Sequence, residues 1–428
     1  MIAFIKKLKI QMVPKGSFIE NVLILMTGTT IAQAIMIAIS PIFTRIYTPY
    51  EFGTYALYMA IVSIVSVMAT GKYELAVMLP ENEEGAVNVS ALCILVSSTV
   101  SSVMLLAIWI FNEPITKSLG NSELSVLLYF IPLIVLMTGI YSTFNYWSNR
   151  KRQYKRLAIS KIFQSISNAG ISIGMGFAGF GASGLILGVI GSQIVATGVL
   201  GWQVLKEYKS KIKFVMKEKI TLEANRYIDF PKYSIPSDFI NVVSNQMPIF
   251  LLSVYFNDTI VGFYSLTQRV LAIPIGFIAV SILDVFKQRA SNDYMLYGNC
   301  KDIYIKTFKS LVFFTIIPFI LFFFTAPYMF AFIFGTNWRI AGEYAQILSV
   351  MYALKFISSP LSYMYYIAEK QQEDFLLHIY IGVSTFLALI LGNYIFGTIK
   401  ASLILFSANY SIVYLVGILR SYKFSKGI

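Results

Sequence analysis

Two basic side chains stand deep inside long apolar runs of this sequence. Arg269 lies in "LTQRVLAIPIGFI", where no other residue is charged, and Lys355 lies within "VMYALKFISSP". If both runs are helices, Arg269 is about 9 residues, or roughly 13 Å, from the nearer end of its run, and Lys355 about 12 residues. An arginine that deep in a membrane helix costs about 2.5 to 3.5 kcal/mol and usually faces a cavity or a partner. Such cations suit anions, since arginine offers phosphate oxygens a bidentate fork and lysine a point charge.

The helical faces around these cations carry small and polar residues. Ser265, Ala272 and Gly276 lie on the face of Arg269, and serines accompany Lys355. Small residues there predict contact with protein or water rather than with lipid. Polar faces on the first and seventh apolar runs indicate the same wet, cationic cavity. The candidate substrate-binding residues are Arg269, Lys355, Arg45, Gln33, Asn241 and Asn245.

The elements that must position these side chains are membrane helices. The 428 residues are 57% hydrophobic and only 13% charged, with a mean hydropathy of +0.69, far outside the soluble range. Continuous runs of about 20 apolar residues cross a bilayer as helices, whereas barrel strands alternate in shorter segments. We predict an all-α polytopic membrane protein with twelve spans: 18 to 45, 52 to 72, 86 to 111, 122 to 148, 157 to 178, 182 to 205, 233 to 255, 260 to 286, 303 to 326, 343 to 368, 375 to 396 and 401 to 420.

The distribution of Lys and Arg predicts the orientation of these helices. With both termini in the cytoplasm, the inner segments hold 25 Lys and Arg and the outer segments hold 4. Short basic loops stay on the cytoplasmic side, so this asymmetry favours that direction. The net charge of +13 therefore needs no nucleic-acid partner.

Three carboxylates near the predicted cytoplasmic ends leave two interpretations open. Glu74, Asp238 and Asp284 could form buried ion pairs with Arg269 or Lys355. Alternatively, the cations face an anionic substrate, and the acids orient them or bind a coupling ion, either a proton or sodium. The spacing of Cys, His and acidic residues predicts no metal site, and we expect no other cofactor.

A basic stretch divides the chain and suggests a duplication. We predict a six-helix lobe at 1–205, a basic cytoplasmic linker at 206–232 that lies on the membrane face, and a second six-helix lobe at 233–428. A Pro-Ile-Phe tripeptide and a later Gly-x-Tyr-x-Leu recur in both lobes, with the glycines at Gly53 and Gly262. A six-span unit duplicates in the same orientation, which implies a pseudo-two-fold axis along the membrane normal. A chance match of common membrane residues is the alternative.

Motifs for an energy source or covalent chemistry are absent from the sequence. It contains no G-x-x-x-x-G-K-[ST] phosphate loop and no Ser/His/Asp set, since its single histidine, His378, is poorly placed near the predicted cytoplasmic end of the eleventh span. We therefore expect a secondary-type transporter and not an enzyme. An ion gradient, the membrane potential or removal of product would drive it.

Two blocks of the sequence resemble a known family. They read "FTRIYTPYEFGTYALYMAIVSIVSVMATGKYELAVMLP" and "GFYSLTQRVLAIPIGFIAVSILDVFKQRAS". Both resemble the polysaccharide-biosynthesis branch of the multidrug, oligosaccharidyl-lipid and polysaccharide (MOP) exporter superfamily, especially Wzx-type O-antigen or capsule repeat-unit flippases. The resemblance implies a MATE-like fold of two six-helix lobes in the bacterial cytoplasmic (inner) membrane.

The function implied by this resemblance is lipid transport for polysaccharide or lipopolysaccharide biosynthesis. Such proteins move undecaprenyl-pyrophosphate-linked oligosaccharides to the outer leaflet by alternating access, with Arg269 as a pyrophosphate ligand and Lys355 and Arg45 on the path. The implied partners are that substrate, membrane lipids and polysaccharide polymerase machinery, and we expect a monomer. A cation-coupled drug exporter, a membrane glycosyltransferase or polymerase, and a lipid II-type flippase are the alternatives.

Overall fold

The computed structural model describes residues 18–208 and 214–427, and no β-strand forms within these ranges. Residues 1–17 of the predicted first lobe and 209–213 of the predicted linker lie outside them. In chain order the helices are α1 (Phe18–Ile46), α2 (Pro49–Ser66), α3 (Glu83–Leu119), α4 (Leu124–Leu128), α5 (Ile131–Arg150), α6 (Tyr154–Phe177), α7 (Ala182–Tyr208), α8 (Lys217–Arg226), α9 (Ile235–Tyr255), α10 (Asp258–Pro274), α11 (Val280–Tyr297), α12 (Lys301–Phe334), α13 (Arg339–Leu361), α14 (Met364–Ile367), α15 (Gln371–Phe396) and α16 (Ile399–Ser425).

Short segments of other helix types join some of these elements. Tyr73–Met78 and Thr336–Trp338 are 3₁₀ turns, while Phe230–Ser234 and Ile275–Ala279 are π-helical. The second π segment follows Pro274, which cannot donate a backbone hydrogen bond, and joins α10 to α11. π segments inside helices are frequent at functional sites.

The membrane-spanning character of the chain is confirmed. Among the described residues, nine stretches of helix are long and apolar enough to cross a bilayer. Three more predicted spans coincide with α2, α6 and α9, which carry enough polar residues to fall below that hydropathy. The all-α polytopic fold class is therefore right, and the count of twelve spans stays a prediction.

The chain divides into two compact units by its internal contacts. The first unit comprises Met1–Ile46 and Ile61–Val242, and the second comprises Tyr47–Ala60 and Val243–Ile428. The first part of α2 thus groups with the second unit. The lobe boundaries expected from the sequence stay a prediction.

The core of the first unit packs α3, α5 and α7 around the buried side chain of Trp147. The linker helix α8 docks against the start of α3, where Lys219 pairs with Glu84. Asn88 donates to the carbonyl of Phe214 at 3.0 Å and accepts from the amide of Met216 at 3.1 Å. The described part of the linker is therefore held by protein contacts.

The core of the second unit packs α11, α12, α13 and α16 together. Phe286 and Tyr304 meet edge to face with ring centroids 6.2 Å apart, and the Tyr304 hydroxyl donates to the carbonyl of Ile418 at 2.8 Å. These contacts hold α11, α12 and α16 together.

Candidate functional site

The structure places Arg269 on α10, about one turn before Pro274. The helix begins at Asp258 because the Asn257 side chain caps it, accepting from the amide of Ile260 at 3.0 Å. Arg269 is partly buried, and its guanidinium lies within electrostatic range of the Tyr55 phenol. An arginine held at this point of an apolar helix can present its fork to an anion.

Neighbours of Arg269 fix α10 in place. Gln268 donates to the Tyr264 hydroxyl at 2.7 Å, one turn back along the helix. The buried hydroxyl of Thr267 donates to the carbonyl of Ala341 at 2.7 Å and ties α10 to α13. The backbone that carries Arg269 is thus anchored just before it.

Lys355 lies on α13, partly buried, with its ammonium 5.4 Å from the ring centroid of Tyr352. Among the described residues, no carboxylate oxygen lies within 4 Å of that ammonium. A lysine beside an aromatic face still has N–H donors available for an anion.

The two cations lie at different depths of the second unit. Thr267 contacts Ala341 near the start of α13, while further along the helices Ala279 and Phe356 share one core. Lys355 is therefore near the level of Ala279, about 15 Å beyond Arg269 by helix rise. The structure does not bring the two cations together on one phosphate. They lie one after the other along the direction of the helices.

The three candidate acids have local partners. Glu74 is buried and accepts a hydrogen bond from the hydroxyl of Thr70. Asp238 pairs with Lys72 at 2.7 Å in the first unit. Asp284 pairs with Lys287 at 2.9 Å, and both side chains are about half exposed, 51% and 47%. An exposed pair at one helical turn contributes little stability, so Asp284 belongs to a solvated surface.

The remaining candidate residues expose their side chains. Gln33 and Arg45 are exposed on α1, and Asn241 and Asn245 are exposed one turn apart on α9. Exposed amides on apolar helices offer donors and acceptors to sugar hydroxyls. Lipid tails offer no hydrogen bonds, so a water-filled environment suits these four residues.

The repeated glycines meet at one helix crossing within the second unit. A Cβ on Gly53 of α2 would lie 1.7 Å from the Asp258 carbonyl oxygen, and one on Gly262 would lie 1.8 Å from that of Pro49. Pro49 and Asp258 are equivalent positions in the two repeats, so the contact is reciprocal. Reciprocal contacts of equivalent residues are what the duplication expected from the sequence would produce, and the pseudo-two-fold axis stays a prediction.

Equivalent caps precede both crossing helices. Thr48 and Glu51 form a capping box, because the Glu51 carboxylate accepts from the Thr48 amide at 2.6 Å and the Glu51 amide donates to the Thr48 hydroxyl at 3.3 Å. Asn257, the counterpart of Thr48, caps α10. The buried ring of Trp338 lies beside the crossing, 4.9 Å from Phe52 and 5.9 Å from Phe263 between centroids.

Arg150 has a structural role that the sequence did not indicate. Its guanidinium donates to the carbonyls of Val77, Met78, Pro80 and Asn82 at 2.6 to 3.3 Å. In the sequence it counted only as one of many inner charges. Its role depends on a contact between segments about 70 residues apart, for which the sequence gives no signal.

Comparison with known proteins decides the family. A family model described as polysaccharide biosynthesis protein matches residues 42–343, which include Arg269 and both crossing glycines. The chain belongs to this family. The resemblance to polysaccharide-biosynthesis proteins that was inferred from the sequence is thereby confirmed.

A curated relative and two solved structures are also similar to this chain. The chain is 24% identical over 246 residues to the succinoglycan biosynthesis transport protein ExoT of Rhizobium meliloti (strain 1021), covering 57% of this chain and 48% of the relative, about half its length. The lipid II flippase MurJ in an inward closed conformation has a TM-score of 0.74 at 15% identity, covering 94% of this chain and 87% of that one. An inward-facing multidrug resistance MATE family transporter of the MOP superfamily has a TM-score of 0.64 at 15% identity, covering 94% and 97%. At such identities the two structures establish a shared transporter fold.

Proposed function

We propose that this membrane protein is a flippase for lipid-linked saccharides. Its substrate is an undecaprenyl-pyrophosphate-linked oligosaccharide repeat unit, such as that of an O-antigen or capsule, which it moves from the cytoplasmic to the outer leaflet. The observation that carries the proposal is Arg269, a cation held on an apolar helix one turn before a proline and a π segment.

The chemistry of the candidate residues supports this substrate class. A pyrophosphate needs charge-assisted hydrogen-bond donors, and Arg269 supplies them through its bidentate fork. Lys355 offers a second cation about 15 Å further along the helix axis. The exposed amides of Gln33, Asn241 and Asn245 suit sugar hydroxyls. Arg45 is a further exposed cation on the path. Family membership and a relative named for succinoglycan transport favour the same class.

Alternating access is the mechanism that we propose for this transport. In this proposal the protein lies in the inner membrane with both termini in the cytoplasm, as the distribution of Lys and Arg predicts. The negative charge of the substrate is then drawn towards the basic inner loops. The glycine crossing of α2 and α10 is a contact that one access state makes and the other breaks. The transporter needs no covalent step. Its driving force is a proton or sodium gradient, the membrane potential or removal of product. Polymerase machinery is a proposed downstream partner of the monomeric protein.

A second candidate function is cation-coupled export of small molecules. The shared fold with multidrug resistance MATE transporters and the buried carboxylate of Glu74 favour it. The cations on α10 and α13 favour an anionic substrate instead, because a cationic drug would be repelled by them.

Deletion of this gene in its native host separates the two functions. We expect the deletion strain to lose surface polysaccharide, to accumulate the lipid-linked intermediate inside, and to keep its drug susceptibility. Restoration of the glycan by the wild-type chain at native membrane levels supports the flippase. Unchanged surface glycan together with increased drug sensitivity would establish the exporter in its place.

A further inference from the structure

A groove lies between α11 and α12 in the second unit, apart from the residues proposed for transport. Its volume is about 550 Å³, and it begins at Phe277 and Ile278 of the π segment. Ile282 and Val285 line one wall and Phe314 the other, so most of the lining is apolar. A groove of this lining, open at the helix surface, accepts a hydrocarbon chain.

One end of the groove is cationic. Arg289 of α11 and Lys306 of α12 both line it and both expose their side chains. Within residues 18–208 and 214–427, neither has a carboxylate oxygen within 4 Å. Two neighbouring unpaired cations repel each other and are stabilised by a shared anion.

The dimensions of the groove match one leaflet of a bilayer. From Phe277 to Arg289 the helix rises about 18 Å, while half of a hydrocarbon core measures about 15 Å. The cationic end is the one nearer the turn between α11 and α12, and the distribution of Lys and Arg predicts that this turn is cytoplasmic. Cations at headgroup level and apolar walls running towards the midplane correspond to a lipid of the inner leaflet.

We propose that this groove binds an anionic phospholipid of the cytoplasmic leaflet. Arg289 and Lys306 hold the phosphate, and an acyl chain lies along Ile282 and Val285 towards Phe277. The length of a single leaflet favours a phospholipid over the substrate's polyprenyl chain, which is much longer than the groove. Basic pockets between membrane helices on this side are a recurrent form of lipid site. The proposal rests on the proposed orientation and not on transport.

The test is lipid binding to the purified full-length protein in detergent, followed by native mass spectrometry. The probes are phosphatidylglycerol, phosphatidylcholine and a polyprenyl phosphate, each titrated separately. We expect a phosphatidylglycerol adduct that phosphatidylcholine does not reproduce. Arg289→Ala or Lys306→Ala weakens it about fivefold, and the double variant about 30-fold.

A matched control is available on the same helix. Lys309 is exposed on α12 one turn from Lys306 and does not line the groove. Lys309→Ala removes the same charge, and we expect it to change binding by less than about twofold. Ser281→Phe fills the groove and leaves both cations in place, so it also abolishes the adduct if the acyl chain lies there.

Three outcomes would overturn the proposal. Equal weakening by Lys309→Ala would mean that surface charge alone attracts the lipid. Equal binding of phosphatidylcholine would remove the role of the cations. Tighter binding of the polyprenyl phosphate, lost in the same variants, would assign the groove to the transported lipid.

Discussion

At the scale of single residues, Arg150 is the side chain whose loss we expect to be most damaging to stability. It donates to four carbonyls in the segment between α2 and α3. Arg150→Ala should lower the free energy of unfolding by about 2 to 4 kcal/mol, because four carbonyls, two of them in partly buried hydrogen bonds, then lose a charged donor. Thermal unfolding of the purified protein measures the effect.

Arg152 is the control for that prediction. It is exposed, and its φ of 55° lies in the left-handed region. Arg152→Asn removes a charge two residues away and keeps a residue that tolerates this backbone conformation, so stability should change by less than about 0.5 kcal/mol. If both variants unfold at the same temperature, the carbonyl contacts of Arg150 contribute nothing.

Cys300 gives a residue-scale prediction that depends on pH. It lies in the turn between α11 and α12, where burial and the nearby charge of Asp293 raise the pKa of its thiol to about 11. The thiol is protonated below that pH, so only about a thousandth is thiolate at pH 8. In a Cys93→Ala background, maleimide should label the folded protein slowly at pH 8 and the denatured protein quickly. Fast labelling of the folded protein would contradict the burial.

At the scale of elements, the crossing of α2 and α10 depends on having no side chain at two positions. Gly53→Ala and Gly262→Ala place a Cβ within 2 Å of a backbone carbonyl, which no rotamer change relieves. We expect each to reduce surface glycan at least about tenfold, although alanine favours an isolated helix by about 1 kcal/mol. Surface polysaccharide at matched membrane expression is the measurement.

Gly170 of α6 is the matched control for the crossing, since a Cβ there meets nothing within 4 Å. Gly170→Ala should retain transport and stabilise the protein slightly. Transport by Gly53→Ala equal to that of Gly170→Ala would show that the close approach has no part in function.

At the scale of the whole molecule, apolar runs and basic loops were enough to predict the fold class. The length of each run dictates a membrane helix, and the repeat around Gly53 and Gly262 was visible because a close backbone approach requires glycine at both positions. The count of spans was less accessible. Helices such as α6 and α9 mix polar with apolar residues, so hydropathy alone does not establish that they span.

The candidate site was only partly accessible from the sequence. The depth of Arg269 could be read from its position in an apolar run, and it is indeed partly buried. Lys355 is separated from Arg269 because of how the helices pack. Asp238 pairs with Lys72 because of that packing and because of the turn at Gly71, where φ is 63°. Neither hydropathy nor spacing encodes such tertiary contacts.

The measurement that tests the central claim most directly is glycan complementation of the deletion strain with Arg269→Ala and Arg269→Lys. Arg339→Ala, an exposed arginine at the start of α13, is the control. Loss of a charged contact should reduce transport about 10- to 150-fold. We therefore predict that Arg269→Ala lowers surface glycan by that factor and accumulates lipid-linked intermediate. Arg269→Lys should restore part of the glycan, and the control should complement fully. Full complementation by both Arg269 variants would contradict the account.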